Sequence, residues 1–183
     1  MIAPDLFQTL PKTIAERISV TLPGLNTCEA IWGLFNPDEL KKRGVKAPAV
    51  LVSCAAAAQS GTRSGPEHDF DLRMLAYVIT RDALGLPRDV AAAGICGTLM
   101  RTIPDRRWGP HGVGEAKGVR CHPLINEKTR DAAYSLFVVE WIQPVALAEF
   151  TPDDPVPLDI YVGIAPETGP DHLDDYDLIG GDA

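Results

Sequence analysis

Hydrophobic residues recur at two spacings along this chain, one typical of helices and the other of strands. Residues 5–20 place an apolar side chain every three or four positions, which predicts an amphipathic helix. Pro11 lies inside that pattern, and because proline cannot donate a backbone hydrogen bond, we expect it to kink or split the helix. Further helices are predicted over residues 36–43, where an Asn-Pro pair suits a helix start, and over residues 87–101.

The predicted strands form two pairs and one short segment. Residues 47–58 are continuously apolar or small, which favours a strand buried on both faces, and residues 69–80 alternate between apolar and polar positions. We expect these two strands to form a hairpin with a loop too long for a two-residue turn. A second pair is predicted over residues 119–126 and 132–142, and a short strand over residues 28–34.

Two connecting segments are rich in glycine, serine and proline. Residues 59–67 form the predicted hairpin loop, and residues 105–118 hold four Gly and one Pro. Because little apolar area opposes their entropy, both are expected to be mobile in the free protein and ordered by neighbouring molecules. The helix at residues 87–101 is expected to press one side closely on the sheet. That side carries Val90, Gly94, Ile95, Thr98, Leu99 and Thr102.

The order helix, short strand, helix, hairpin, helix, hairpin predicts an α+β domain over residues 1–150. We expect two layers, an antiparallel or mixed sheet built from hairpins with the helices packed on one face. Residues 151–183 are Pro-rich and acidic, and are interpreted as an extended C-terminal arm. In it Leu158, Ile160 and Val162 have the period of a half-buried strand, which predicts addition to a sheet edge in a neighbouring subunit or a partner protein.

Acidic residues are concentrated towards the carboxyl end. The chain of 183 residues has 17 Lys and Arg against 25 Asp and Glu, a net charge of −8. Residues 131–183 hold 12 of the acidic residues and no basic one. We therefore expect the arm to be steered onto a basic surface. Asp174, Asp175 and Asp177 would supply the charge, and Tyr176 would anchor the contact.

The composition, 45% hydrophobic and 23% charged, is that of a globular chain with enough apolar material for a core. No run approaches the roughly 18 to 20 apolar residues of a membrane span, and residues 1–24 lack the apolar centre of a signal peptide. We therefore expect neither a membrane nor secretion, and the acidic balance argues against sequence-specific nucleic-acid binding. The four cysteines are widely separated, and we expect them to be reduced and buried, in keeping with cytosolic folding.

The sequence contains no recognisable catalytic pattern. It lacks a Walker loop, Gly-x-Gly-x-x-Gly after a strand, His-Glu-x-x-His and Gly-x-Ser-x-Gly. His111, Cys121 and His122 would serve a small cytosolic enzyme as zinc ligands or as a thiol nucleophile pair. Adjacent strand residues point to opposite faces, however, so Cys121 and His122 are not expected to meet one metal. No metal, cofactor or catalytic residue is predicted.

Arg106, Arg107 and Trp108 stand beside a Gly-rich loop and have two interpretations. Arginine and tryptophan are favoured at interfaces, so the three residues are a candidate partner surface. Alternatively they form an exposed charged turn in which Trp108 covers the sheet edge. Arg63, in the predicted hairpin loop, is a further candidate for the partner interface.

Five segments follow one another in a characteristic order. They are Asn-Pro-Asp-Glu-Leu-Lys-Lys at residues 36–42, Ala-Pro-Ala-Val-Leu-Val at residues 47–52, the strand at residues 70–80, the helix containing Gly94, and the strand at residues 132–142. Together they resemble a bacteriophage family, the tail terminator or tail completion proteins of Mu-like phages with contractile tails. The resemblance covers about residues 5–148, and none of its segments is a catalytic motif.

The resemblance implies a structural virion protein without catalysis, located in the tail or neck of the virion and in the host cytoplasm during assembly. Such a subunit forms a ring, a hexamer, on the last ring of the tail tube, stops growth of tube and sheath, and presents the surface that joins the head. Its partners would be copies of itself, the tail tube protein, the tail sheath protein and head–tail connector or neck proteins. Another neck or minor tail protein is the alternative within the same machinery.

Overall fold

The computed structural model describes residues 6–33, 35, 44–62, 67–83, 85–124, 134–148, 160–162 and 177–180. Within these ranges the helices are α1 (Leu6–Thr21) and α2 (Arg88–Thr102). The strands are β1 (Thr27–Ala30), β2 (Ala49–Thr62), β3 (Glu67–Thr80), β4 (Lys117–Pro123), β5 (Ser135–Ala148), β6 (Ile160–Val162) and β7 (Asp177–Gly180). No helix in these ranges is long and apolar enough to cross a membrane. The helix predicted over residues 36–43 lies outside them.

Contacts between residues divide the chain into two units, Met1–Glu149 and Phe150–Ala183. The first unit contains a five-stranded sheet in the order β1-β2-β3-β5-β4. β1 runs parallel to β2, and the other neighbouring strands are antiparallel. The sheet is therefore mixed, and with α1 and α2 it forms the α+β fold that the sequence predicts.

The central hairpin of β2 and β3 is longer than its sequence pattern predicts. β2 continues to Thr62, and Gln59 pairs with Phe70 of β3 instead of lying in a loop. Residues 59–62 and 67 of the predicted loop therefore belong to strands, and residues 63–66 lie outside the described residues. Backbone pairing with β3 holds this end of β2, whose exposed alanine and polar side chains carry no strand signal of their own.

The main core lies between the sheet and the two helices. The helices contribute Leu10, Ile14, Ile18, Ala92, Cys96 and Leu99. The facing side of the sheet contributes Val50, Val52, Leu72, Met74, Ala76, Val78, Val139, Trp141 and Val145. Both helices therefore pack on the same face of the sheet, where burial of these side chains supplies the main driving force for folding.

α1 is one continuous helix from Leu6 to Thr21 although it contains Pro11. The proline is buried beside Leu10 and Ile14, on the side of the helix that packs on the sheet. The predicted split of this helix is therefore wrong. Tertiary packing of an apolar face outweighs the one hydrogen bond that proline cannot donate.

α2 has nearly the predicted extent but turns a different side to the sheet. Its buried residues are Ala92, Cys96 and Leu99, whereas Val90 is 57% exposed. A Cβ atom added at Gly94 would meet nothing within 4 Å. The predicted packing face is therefore wrong except for Leu99, which is buried, and Ile95, which is half-buried against the main core. Small residues are spread around this helix, so its sequence does not single out one apolar side.

The opposite face of the sheet carries a second cluster of buried side chains. It consists of Ile31, Ala49, Leu51, Leu75, Tyr77, Ile79, Leu136 and Val138. Phe35 packs against this cluster with its ring 5.0 Å from that of Tyr77. The short strand predicted over residues 28–34 ends at Ala30, and Gly33, with a φ of 76°, then turns the chain.

In the second unit β6 pairs antiparallel with β7. Val162 lies opposite Asp177 in this ladder. β6 thus has a pairing partner within its own unit, and its predicted addition to a sheet edge of a neighbouring subunit or a partner protein stays a prediction. Pairing of two short distant segments depends on long-range contacts, which strand periodicity alone does not reveal.

Candidate functional site: an arginine turn held by a buried glutamine

Gln143 is a polar residue of β5 whose side chain is fully buried. Its Oε1 atom accepts hydrogen bonds from the indole N–H groups of Trp108 and Trp141, at 2.9 and 3.0 Å. Its Nε2 group donates to the backbone oxygens of Arg106 and Gly114, at 3.1 and 2.5 Å. The amide thus uses both donors and accepts two bonds, so its burial leaves no polar group unpaired.

The glutamine holds a turn, residues 105–108, that we call the arginine turn. Asp105 and Trp108 have φ angles of 61° and 60°, in the left-handed region, which aspartate adopts fairly often but a bulky side chain such as tryptophan rarely does. Arg106 and Arg107 lie between them. Backbone strain of this kind costs about 1 to 3 kcal/mol per residue and persists only where the surroundings determine the conformation. Here the conformation is fixed by the buried Trp108 ring and by the hydrogen bond from the Gln143 side-chain amide to the Arg106 carbonyl.

Residues 112–114 continue from the turn along β5. The Gly112 carbonyl accepts a hydrogen bond from the Ala146 amide at 2.7 Å, and the Gly114 amide donates to the Pro144 carbonyl at 2.8 Å. A Cβ atom on Gly112 would lie 2.8 Å from the Ala146 oxygen, and Gly112 has a φ of 78°. Both the close approach and the backbone angle therefore require glycine here.

Apart from Trp108 and Val113, residues 105–118 are expected to lack apolar anchors, and these two side chains do fix the segment to β5. Trp108, Val113 and Ala116 are all buried, and Val113 pairs with Val145 of β5. Because Trp108 lies inside the protein, it is not an exposed anchor for a partner. The aromatic ring, the glutamine amide and the strand edge fix this segment through contacts with β5, which is distant in sequence.

The exposed side of the arginine turn borders a hollow of about 530 Å³. Arg17 of α1 joins Arg106 and Arg107 in its lining, so three arginine residues border one space. Val20, which is 80% exposed, adds apolar surface. We call this space the arginine hollow. Its full lining is Arg17, Val20, Thr21, Thr102, Asp105, Arg106, Arg107, Trp108 and Gly109.

The arginine side chains of the turn are only partly engaged by the protein. Arg107 Nη2 contacts Glu115 Oε1 at 2.9 Å, but the two side chains are 69% and 46% exposed, so this ion pair contributes little to stability. Arg106 Nε donates to the Thr102 carbonyl at 3.1 Å, at the negatively polarised end of α2. Since each guanidinium carries five N–H donors, the hollow has the chemistry of a receptor for carboxylate or phosphate groups.

A second charged group lies on the opposite face of the sheet. Arg73 of β3 donates to Glu140 Oε2 of β5 through Nε at 3.2 Å and Nη2 at 2.6 Å. The hydrogen bond from Arg73 lowers the pKa of the Glu140 carboxyl, and the charges of Arg73, His122 and Arg120 add to this effect. The pair joins neighbouring strands and supports the sheet in the manner of other cross-strand ion pairs.

The structure does not bring His111, Cys121 and His122 together. Cys121 packs against the main core, whereas His122, the next residue of β4, is exposed. His111 adjoins the contact to Ala146 near the end of β5, and Cys121 pairs with Val139, seven residues away along that strand. Among the described residues, no three His, Cys, Asp or Glu side chains lie close enough to hold a metal ion.

Cys28, Cys54 and Cys96 have the raised pKa values of structural thiols. All four are free; Cys96 is buried and the others are half-buried. Burial raises the pKa of the Cys28 thiol to about 11, with a smaller effect of the Glu29 charge. Burial, followed by contact with Cys121, raises the pKa of Cys96 to about 12, and burial also raises that of Cys54. A nucleophilic cysteine needs the opposite shift.

The remaining predicted interface residues belong to less fully described segments. Arg63, Leu158, Asp174, Asp175 and Tyr176 lie outside the described residues. Ile160 and Val162 lie in β6, and Asp177 lies in β7. For these three the backbone pairing is described, and it is internal to the second unit.

Sequence reasoning missed Arg17 and Gln143. Gln143 had a signal, because it is a polar residue two positions after Trp141 on the inward side of a strongly apolar strand. Arg17 had none, because it is an ordinary exposed residue of an amphipathic helix until α1 and the arginine turn meet in the fold.

Neither the family models nor the curated proteins contain a match to this sequence.

Proposed function

We propose that this chain is a structural subunit of a contractile phage tail, a tail terminator that assembles with copies of itself into a hexameric ring on the tail tube. The ring ends the growth of tube and sheath and provides the interface to the head or neck. Its partners are the tail tube protein, the tail sheath protein and the head–tail connector. It acts in the virion and, during assembly, in the host cytoplasm, and it works without catalysis or a cofactor.

The observation that carries this proposal is how the resembling segments fold. Residues 47–52, 70–80 and 132–142 coincide largely with β2, β3 and β5, three adjacent strands. Gly94 lies in α2, which packs on the same sheet. Four of the five resembling segments therefore contribute to one layered unit, and the fifth, residues 36–42, lies outside the described residues.

An apolar groove on the first unit supports self-association. It has a volume of about 430 Å³ and lies where the segment after α1 meets α2. Leu86 and Val90 in its lining are 45% and 57% exposed. Exposed apolar surface of this kind favours contact with another protein. In a ring, each subunit presents one surface that its neighbour covers with another, so every such groove is covered.

The test is ring formation and capping of the tube. Light scattering and negative-stain microscopy of the purified protein are expected to show a closed ring. Added to polymerising tail tube protein, it is expected to stop elongation and to appear at one tube end. Val90→Lys should weaken the ring by about tenfold or more, because it places a charge in an apolar contact. Ala93→Lys, on the exposed side of the same helix, is the matched control and should assemble normally.

Two results would contradict the proposal. A protein that stays monomeric and leaves tube length unchanged is not a terminator. A ring that binds the head–tail connector but does not stop tube growth would identify another neck protein, the alternative that the sequence leaves open.

A further inference from the structure

The arginine turn is held far more firmly than an ordinary surface loop. Two residues in the left-handed region flank Arg106 and Arg107, and a fully buried amide fixes the backbone between them. The backbone at Trp108 is strained in this conformation, because a bulky residue rarely adopts a positive φ. Such strain, where it persists, is concentrated at binding and active sites.

We infer that the arginine hollow binds the acidic stretch at residues 171–177 of a second copy of this chain. The inference rests on the proposed function in taking the neighbouring subunit to be a copy. It adds the surface on which one subunit receives the next and the residues that do so.

The charges of the hollow and of the stretch are complementary. The lining holds three arginines and one acidic residue, Asp105. Glu115 partly neutralises Arg107, through an exposed ion pair that an incoming carboxylate can replace. Residues 171–177 read Asp-His-Leu-Asp-Asp-Tyr-Asp, four carboxylates without a lysine or arginine. Arginine binds carboxylates through paired N–H donors, which adds geometric specificity to the attraction.

The stretch also carries apolar residues that suit the hollow. Tyr176 stands among the aspartates, and Leu173 precedes them. Val20 in the lining is 80% exposed, so it offers an apolar contact beside the guanidinium groups. A tyrosine next to carboxylates would place its ring on this surface while its neighbours pair with arginine.

The experiment measures binding of a fluorescein-labelled peptide of residues 169–181 by fluorescence anisotropy. The receptor is the full chain with Asp174→Lys and Asp175→Lys, so that its own acidic stretch does not compete. We expect saturable binding that weakens as salt is raised, because the Debye length falls from about 10 Å at 0.1 M to about 3 Å at 1 M. A peptide with its aspartates replaced by asparagine should bind at least about tenfold more weakly.

Charge reversal in the receptor locates the site. Arg106→Glu with Arg107→Glu should weaken peptide binding by about tenfold or more. The matched control is Lys12→Glu with Arg101→Glu, two exposed basic residues outside the lining, which changes the net charge equally. If the control weakens binding as much as the turn variant, the attraction is a general charge effect and the inference is wrong. Absence of peptide binding to the receptor would overturn it as well.

A second measurement separates this inference from the ring proposal. Reversed-charge copies, one with the Arg106→Glu and Arg107→Glu changes and the other with Asp174→Lys and Asp175→Lys, should each associate poorly alone and associate when mixed. Rings that form equally well from each variant alone would contradict the inference but not the ring proposal. Peptide binding by a protein that forms no ring would contradict the ring proposal but not the binding of the acidic stretch.

Discussion

Gln143 makes the stability of a surface turn depend on one buried side chain. Gln143→Leu would leave two indole N–H groups and two backbone carbonyls without this partner. We expect the free energy of unfolding to fall by about 2 to 5 kcal/mol, because unpaired buried polar groups are costly. Urea unfolding followed by tryptophan fluorescence measures it. Gln8→Leu, at an exposed position of α1, is the control and should change stability by less than about 0.5 kcal/mol.

A Gln143→Leu protein as stable as the wild type would show that the turn is held by Trp108 packing alone. The same variant should also weaken peptide binding at the arginine hollow if the amide positions Arg106. These two readouts separate the structural role of Gln143 from its positioning role.

The close contact of Gly112 with β5 gives a second residue-scale prediction. Gly112→Ala introduces strain from a positive φ and from a Cβ atom 2.8 Å from the Ala146 oxygen. Gly33→Ala introduces strain only from its φ of 76°, because its Cβ atom would lie in open space. We expect Gly112→Ala to lose at least about 1 kcal/mol more than Gly33→Ala. Thermal unfolding of both variants measures the difference. Equal losses would mean that the strand edge yields to an added methyl group.

The buried thiol of Cys96 makes the stability of the protein fall as the pH rises above about 9. Its pKa is raised from 9.0 to about 12 in the folded state, so between these pH values the folded protein keeps a proton that the unfolded chain releases. Stability from this thiol is full below pH 9 and falls as the pH rises, by up to about 1.4 kcal/mol per pH unit. Between pH 9 and 11 the free energy of unfolding should therefore fall less steeply with pH in Cys96→Ala than in the wild type. Urea unfolding at each pH measures it.

Cys121→Ala is the matched variant for this pH dependence. It should keep most of the slope, because burial is the larger cause of the shift and contact with Cys121 the smaller. Identical slopes in wild type and Cys96→Ala would mean that Cys96 opens to solvent before the protein unfolds.

At the scale of elements, α2 shows that a helix can be predicted without its orientation. Its extent follows from local sequence, but the side that meets the sheet is Ala92, Cys96 and Leu99. Gly94, which the sequence places against the sheet, instead borders open space, since a Cβ atom on it meets nothing within 4 Å.

Gly94→Ala is therefore expected to stabilise the unassembled subunit by about 0.5 to 1 kcal/mol, because alanine loses less backbone entropy in a helix and has room here. Ala93→Gly, at the neighbouring exposed position, should lose about the same amount. Urea unfolding at low protein concentration measures both. A loss of stability in Gly94→Ala would mean that Gly94 packs closely against the sheet, as the sequence predicts.

At the scale of the whole molecule, the first unit holds the complete five-stranded sheet and both buried clusters. We expect a chain ending at residue 149 to unfold cooperatively, with a free energy within about 1 kcal/mol of the full chain. It carries 17 basic and 16 acidic residues, so its net charge is +1 instead of −8. Circular dichroism and urea unfolding check its folding.

The shortened chain should also lose partner joining and self-association through the arginine hollow. A shortened chain that does not fold would show that residues 150–183 complete the core of the first unit. One that folds and assembles like the full chain would make those residues dispensable.

The sequence by itself determined the elements whose signals are local. Local patterns of apolar and small residues predicted α1, α2, β2, β3 and β5, with a clear helical period in α1 and a clear strand period in β3. The order of these elements predicted the α+β fold. The sequence also singled out Arg106 and Arg107, because charged residues beside a Gly-rich stretch indicate an exposed turn. These inferences succeed because a period of 3.6 or 2 residues is a property of neighbouring positions.

Only the tertiary structure decided which surfaces meet. It placed β3 between β2 and β5, turned Ala92 and Cys96 towards the sheet, and buried Trp108 against Gln143. Each of these depends on contacts between residues far apart in the chain, for which a single sequence has no periodic signal. The arginine hollow is the clearest case, since Arg17 comes within reach of Arg106 and Arg107 only when α1 and the turn pack on the same end of the sheet.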